Sequence, residues 1–163
     1  VADRVFLDTN VVLYAEDERD RERRDRAVAV LAEIVPAGRA VISTQVLQEF
    51  YSAATRKLRL TPEQARRRVV ELARLDLVIV TPELTLGAID LARLHGLSFW
   101  DALIVRCAAA AGCGRVLTED LNHGQEIDGV RIENPFASGA MTAREAGPRP
   151  RRRRAARGRA ARR

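Results

Sequence analysis

Lysine is almost missing from this chain: of 28 basic residues, Lys57 is the one that is not Arg. The codon usage of a GC-rich genome is the simplest cause, because Arg and Ala rise together. Cysteine and histidine are scarce too, at two each, and Cys107 and Cys113 lie six residues apart. In a helical stretch that spacing turns them about 120° from each other, so they cannot bridge within it. Nor is it the spacing of a metal-binding pair. Val1-Ala2-Asp3-Arg4-Val5 has neither the basic segment nor the apolar core of a signal peptide. No apolar run approaches the roughly 18 residues of a membrane span. A reduced, cytoplasmic protein with no membrane contact is the expectation.

What is present suits one folded domain. The chain has 163 residues, and a hydrophobic content of 47% argues against global disorder. Its net charge of +6 and pI near 10.5 suggest a nucleic-acid binder, but the charge is unevenly placed. From Arg144 to Arg163 there are ten Arg and one Glu, a net of 10 − 1 = +9. Residues 1–143 hold 18 basic and 21 acidic side chains, a net of 18 − 21 = −3. Two segments are therefore expected, a domain at 1–136 and an Arg-rich tail at 137–163. Pro, Gly, Ala and Arg dominate the tail without any period, which reads as disorder.

Within the domain, strands alternate with helices. Val5-Phe6-Leu7, Ala40-Val41-Ile42, Leu77-Val78-Ile79-Val80 and Arg115-Val116-Leu117-Thr118 read as strands, and Val130-Arg131-Ile132 as a short fifth. The ten charged residues from Asp17 to Arg26 read as a solvated connection or helix face, with a helix at 27–35 ended by Pro36 and Gly38. Ser43 or Thr44 caps the next helix, which runs to about Leu58. Thr61-Pro62-Glu63-Gln64 and Thr81-Pro82-Glu83 both carry helix-start chemistry, and Gly96 stops the second of these helices. A last helix starts at Ser98 and reaches about Ala111. This order implies an α/β protein with a mostly parallel five-stranded sheet covered on both faces.

In such a sheet, ligands sit beyond the carboxyl ends of the strands, where strand order reverses. Asp8 ends strand one and Asp120 follows strand four. If those strands are neighbours, both acids open into one crevice; otherwise each is an ordinary cap or turn acid. Asp101 lies in a helix so apolar that it must be buried nearly all round. An ionised carboxylate there is costly unless partnered, although a capping role three residues after Ser98 would also suit it. Glu49 stands at the shoulder of an apolar arc, either a site residue or an ordinary boundary Glu. Two carboxylates about 4 Å apart repel by on the order of 4 kcal/mol at an effective dielectric of 20. Four acids in one pocket therefore need protons or a metal. An all-oxygen set favours Mg2+ or Mn2+ over Zn2+.

The sequence resembles the PIN-domain ribonucleases, in particular VapC-type toxins of toxin–antitoxin pairs, over residues 4–136. Phe6-Leu7-Asp8-Thr9-Asn10, Val46-Leu47-Gln48-Glu49-Phe50-Tyr51 and Ser98-Phe99-Trp100-Asp101-Ala102-Leu103-Ile104 carry the resemblance. So do Leu117-Thr118-Glu119-Asp120-Leu121-Asn122-His123-Gly124 and the closing Val130-Arg131-Ile132-Glu133-Asn134-Pro135-Phe136. The resemblance implies a three-layer α/β/α fold and a Mg2+-dependent endoribonuclease acting on single-stranded or loop RNA, with Mn2+ as the other candidate ion. It implies catalytic metal ligation by Asp8, Glu49, Asp101 and Asp120. Asn10, Thr118 and Glu119 would orient these acids, with Glu119 able to replace Asp120 as ligand. The implied products are a 3′-hydroxyl and a 5′-phosphate, and the implied partners are a cognate antitoxin and a second copy in a homodimer. Trp100 either packs on the sheet or stacks on a base, and His123 is a minor candidate for a general base.

Two alternatives belong to other classes. A catalytically silent PIN-like domain would bind RNA or protein, but has no need of a repelling acid cluster. A nucleotide binder would want glycines after strand one, where Asp8-Thr9-Asn10 stands instead. The tail is either a solvated extension, a tether for RNA, or a contact for an acidic antitoxin segment.

Overall fold

The computed structural model describes residues 3–137. The expected disorder of the tail, Ala137 apart, falls outside these residues. Strand β1 is Val5–Leu7, and all three of its residues are buried. Successive strand side chains point to opposite faces, so a continuous buried run means that helices cover both sides of the sheet. β2 (Ala40–Ser43) is buried throughout in the same way. The remaining strands are β3 (Asp76–Val78), β4 (Arg115–Leu117), β5 (Glu126–Ile127) and β6 (Val130–Glu133). They form one sheet in the order β3-β2-β1-β4-β6-β5.

All pairings are parallel except β5 with β6, where Ile127 faces Val130 across a hairpin. The sheet thus has six strands rather than the expected five. β5 is two residues long, too short to show an alternating pattern, and it exists because the Asp128-Gly129 turn folds it back onto β6. Both turn residues have positive φ, 53° and 74°. β3 also begins and ends earlier than expected. It is the edge strand, and Ile79 beyond it is 58% exposed.

The helices are α1 (Thr9–Tyr14), α2 (Arg21–Ile34), α3 (Thr44–Arg56), α4 (Pro62–Leu72), α5 (Pro82–His95) and α6 (Phe99–Ala110). The charged run is not a connection throughout: α2 starts within it, at Arg21. Asp20 caps it by accepting from Arg23 N at 3.1 Å, and Glu22 pairs with Arg26 one turn on. The expected capping box at Thr61 and Gln64 is formed, and Gly96 ends α5 in the left-handed region at φ 66°. Cys107 and Cys113 are both buried and free, and burial pushes both thiols up to about 11. No described helix is long and apolar enough to cross a membrane.

This topology decides where side chains meet. β2 lies on one side of β1 and β4 on the other, so the order reverses between β1 and β4, with Leu7 opposite Leu117. The residues that follow them, Asp8 and Thr118, stand side by side at the switch point. α3 follows β2 directly, so its first turns rise from the same edge. α6 leads down into β4 and packs on β2, β4 and β6, which puts its first turn at that edge as well.

Candidate active site

Asp8 is both a cap and a crevice residue. Its Oδ1 accepts from Thr9 N at 2.6 Å, capping α1. Its Oδ2 accepts from Thr118 Oγ1 at 2.6 Å and from Asn10 Nδ2 at 3.1 Å. The same Asn10 amide also reaches Asp120 Oδ2 at 2.9 Å. Thr118 Oγ1 accepts in turn from Asp120 N at 3.1 Å. Asp8, Asn10, Thr118 and Asp120 are therefore one hydrogen-bonded unit spanning β1 and β4. Asp8 is only 6% exposed. Burial pushes its carboxyl up to about 6, and the negative charges of Asp120 and Glu49 add to the rise. The bonds from Thr118 and Thr9 oppose it.

Glu49 and Asp101 come from the other side of the crevice. On α3, the buried Gln45 donates through Nε2 to Glu49 Oε1 at 2.6 Å and reaches the Trp100 carbonyl at 3.4 Å. Gln45 thereby ties Glu49 to the first turn of α6. There Ser98 Oγ donates to Asp101 Oδ2 at 2.6 Å and accepts from Asp101 N at 3.1 Å. Ser98 is the cap of α6, and Asp101 does not close a capping box, because its carboxylate accepts from the Ser98 hydroxyl and not from the Ser98 backbone N–H. Asp101 makes no direct hydrogen bond to the Asp8 unit. Among the described residues no three His, Cys, Asp or Glu side chains form a ready-made metal cluster.

Glu119 is separated from Asp120 by its partners. Tyr14 Oη donates to Glu119 Oε1 at 2.6 Å, and Arg23 Nε lies 3.5 Å from Glu119 Oε2. The Arg23 guanidinium sits 5.1 Å over the Tyr14 ring, whose other neighbour is Phe136. Burial and the Glu119 bond push the Tyr14 phenol up to about 12. Glu119 is thus drawn away to α1 and α2, while Asp120 is held by Asn10 next to Asp8. Replacing Tyr14 by Phe keeps the ring contact and removes the hydroxyl bond. Stability should fall by about 1 kcal/mol, read as a lower urea midpoint at an unchanged slope; no change would mean the clasp contributes nothing.

Trp100 does not pack on the sheet. It is 60% exposed, touching Phe99 edge-on at 5.1 Å. His123 Nδ1 accepts from Asn134 N at 3.0 Å. Two residues of the neighbourhood escaped the sequence reading, Gln45 and Tyr14. Gln45 left one signal, since it stands four residues before Glu49 on a helix and so shares its face.

The charges around the crevice differ from those elsewhere. Asp3, Glu22, Asp76, Asp128 and Glu133 each pair with an Arg. Among the described residues, Asp8, Glu49, Asp101 and Asp120 pair with none. Asn10 Oδ1 and Gln45 Oε1 are buried acceptors that find no hydrogen-bond partner. Unpaired carboxylates beside unsatisfied amide oxygens form a donor set that suits a hard divalent cation. Mg2+ keeps several waters and takes only one or two carboxylates, so the lack of a closed cluster does not conflict with it.

The fold defines an α/β protein in which Asn10 bridges Asp8 and Asp120 at the switch point of a mostly parallel sheet. Residues 5–125 match the PIN domain, and the chain belongs to that family. Among solved structures, a toxin–antitoxin complex from Klebsiella pneumoniae is 18% identical at a TM-score of 0.60, over 80% of this chain and 97% of that one. DNA-bound VapBC from Salmonella typhimurium is 24% identical at 0.58, over 81% and 98%. A sarcin-ricin-loop-cleaving VapC toxin from Mycobacterium tuberculosis is 22% identical at 0.58, over 69% and 86%. At these identities the likeness is one of fold. No curated protein matches the sequence.

Proposed function

We propose that this protein is a Mg2+- or Mn2+-dependent endoribonuclease that cuts single-stranded or loop RNA, acting as the toxin of a type II toxin–antitoxin pair. One observation carries the reading. Asp8 stands at the switch point close enough to Asp120 and Glu49 to feel their charges, it is held by three donors, and among the described residues neither these acids nor Asp101 pairs with an Arg or Lys. A domain that only bound RNA would gain nothing from such repulsion.

Asp8 and Asp101 would hold the ion most directly, with Glu49 and Asp120 completing the pocket partly through water. When bound, a divalent cation neutralises these charges and polarises water and a phosphate oxygen. The chain's own residues set the geometry. Thr9, Thr118 and Asn10 fix the orientation of Asp8, and Asn10 spaces Asp120 from it. Gln45 sets Glu49 against α6, and Ser98 sets Asp101. Glu119 orients the Thr118–Asp120 segment through Tyr14. Water adds to phosphorus, the bond to O3′ breaks, and O3′ takes a proton, leaving 3′-hydroxyl and 5′-phosphate ends. Splayed single strands can enter such a crevice where a duplex cannot, and the exposed Trp100 offers a stacking surface beside Asp101.

Partners follow from the solved relatives and from the surface. Structures of similar fold are toxin–antitoxin complexes, which supports a cognate antitoxin here. A cavity of about 190 Å3 between α1, α2, α3 and α4, lined by Val12, Leu31, Phe50 and Leu72 among others, offers an apolar seat for one. Leu86, Ile89 and Leu94 of α5 are exposed, as an interface between two copies would require.

Purified chain freed of any antitoxin should cleave single-stranded RNA with Mg2+ and stop in EDTA. Asp101→Asn should lose at least about tenfold in rate, since even residues that only support a metal ligand contribute about that much. Cleavage that survives both EDTA and this substitution would refute the metal–carboxylate site. No cleavage under any condition would point to the silent PIN-like domain.

A further inference from the structure

Charge within the domain is segregated. Residues 56–67, where α3 ends and α4 begins, carry five basic side chains and Glu63, a net of 5 − 1 = +4. The rest of residues 1–143 holds 13 basic and 20 acidic side chains, a net of 13 − 20 = −7. α3 and α4 are joined by 57–61 and pack on each other as a helical hairpin. Arg56, Lys57, Arg59, Arg66 and Arg67 are all exposed. None of the five is in an ion pair among the described residues, whereas Arg68 beside them pairs with both Glu16 and Glu71.

One of these residues is kept in place at a cost. Arg59 has a φ of 56°, in the left-handed region where glycine rests freely and a Cβ is crowded. The other described non-glycine residue with positive φ, Asp128, sits in a turn and pairs with Arg106. Arg59 makes no ion pair or side-chain hydrogen bond among the described residues. A strained residue without an internal role directs attention to a ligand.

The basic end also has a fixed relation to the crevice. Arg56 follows Glu49 by seven residues, two turns and roughly 10 Å along one face of α3. Its Nε donates to the Ser52 carbonyl at 3.2 Å, which brings the guanidinium one turn back toward Glu49. Arg meets phosphate through a two-pronged fork. A protein partner would want an apolar anchor among the charges, but no large apolar side chain of residues 56–67 is exposed. The rest of the domain repels a polyanion, so a local positive surface must steer one in.

We infer that the basic end of the α3–α4 hairpin, Arg56, Lys57, Arg59, Arg66 and Arg67, binds the backbone of single-stranded RNA and leads it along α3 to the crevice at Glu49. Its role as a substrate subsite rests on the ribonuclease reading, but the binding does not, so binding is measured apart from cleavage.

The full chain and its R56Q/K57Q/R66Q/R67Q variant would be titrated onto labelled oligouridine in EDTA, from about 50 to 200 mM salt. The sequence after Ala137 is the same in every form and cancels in the comparison. The variant should bind at least about tenfold more weakly at the low-salt end, with a salt slope shallower by about 3, four cations at about 0.7 each. An R56K/R66K/R67K protein keeps the charge and should keep most of the slope. Arg59→Gly should weaken binding and flatten the slope by about 0.7 while melting no lower than the parent, which a structural role for Arg59 would not allow. With Mg2+, the loss should fall on KM rather than kcat, because the hairpin end delivers RNA without touching the reacting atoms. Unchanged affinity and slope in the fourfold variant overturn the surface. Oligoglutamate of matched charge that binds as tightly as oligouridine, and loses as much in the variant, overturns the RNA assignment in favour of an acidic peptide. Charge-dependent binding with no cleavage by any form keeps the surface and removes the ribonuclease reading; cleavage with binding indifferent to these residues does the reverse.

Discussion

Replacing Asp8 by Asn should make the protein more stable at neutral pH while removing at least about a hundredfold of its RNA cleavage, since groups that merely support a metal ligand already account for about 10–100-fold. The loss follows from charge: Asp8 is the crevice acid most removed from water, 6% exposed and oriented by three donors. The gain follows from the same burial. The Asp8 carboxyl rises from 3.8 to about 6 in the folded chain, through burial first and the neighbouring Asp120 and Glu49 charges after it. Between those two values the folded protein binds a proton that the unfolded chain has released. Stability therefore falls as pH climbs through that window and stays low above it, by about 3 kcal/mol. Asn removes this cost but offers one acceptor oxygen where Asp8 offered two, and a misdirected donor costs about 1–2 kcal/mol. The net expectation is about 1 kcal/mol of stabilisation at neutral pH, a few degrees in Tm. The gain should vanish near pH 4, where Asp8 is protonated anyway. Urea unfolding in EDTA at both pH values, beside a cleavage assay, checks both halves. A variant less stable than its parent at neutral pH would show that Asp8 is structural, and one that keeps its activity would show that it is not in the site.

Much of this arrangement can be read from local chemistry. Val5-Phe6-Leu7 ending at Asp8 predicts a buried strand opening into a crevice, and β1 and β4 are indeed neighbours across the switch point. Thr61, Thr81, Gly96 and Ser98 mark helix ends through bonds made within three or four residues, so they are visible without the fold. What stayed hidden depends on partners far along the chain. The different surroundings of Glu119 and Asp120 cannot be read from adjacent acids; Tyr14 and Asn10, over a hundred residues earlier, set them. Trp100 looks like core by residue type, yet it is exposed because its position in the first turn of α6 faces away from the sheet. β5 has no periodic signature because two residues cannot have one. Gln45 stands among other polar residues, Ser43, Thr44 and Gln48, and its purpose emerges only when the Trp100 carbonyl arrives from α6.

At limiting Mg2+, cleavage should fall about tenfold for each pH unit below about 6, since a proton on Asp8 removes the charge on which the site depends. In the proposed site, proton and cation would compete for the same carboxylate, and metal binding would release the proton. Raising Mg2+ should therefore move the midpoint toward acid, approaching one pH unit per tenfold of metal once the site is near saturation. Thr118→Val separates this cause from titration of the RNA or of another acid. The Thr118 hydroxyl holds the Asp8 pKa down through its 2.6 Å bond to Oδ2. Without it the Asp8 carboxyl rises further, so the midpoint should move toward neutral pH, opposite to the effect of added metal. Rate–pH profiles of the parent and this variant at two Mg2+ concentrations decide the matter. A midpoint indifferent to metal would place the titrating group outside the cation site. A midpoint indifferent to Thr118 would mean that the group is not Asp8. Movement in both directions, each with its own sign, is what a buried carboxylate shared between a proton, a hydroxyl donor and a cation must produce.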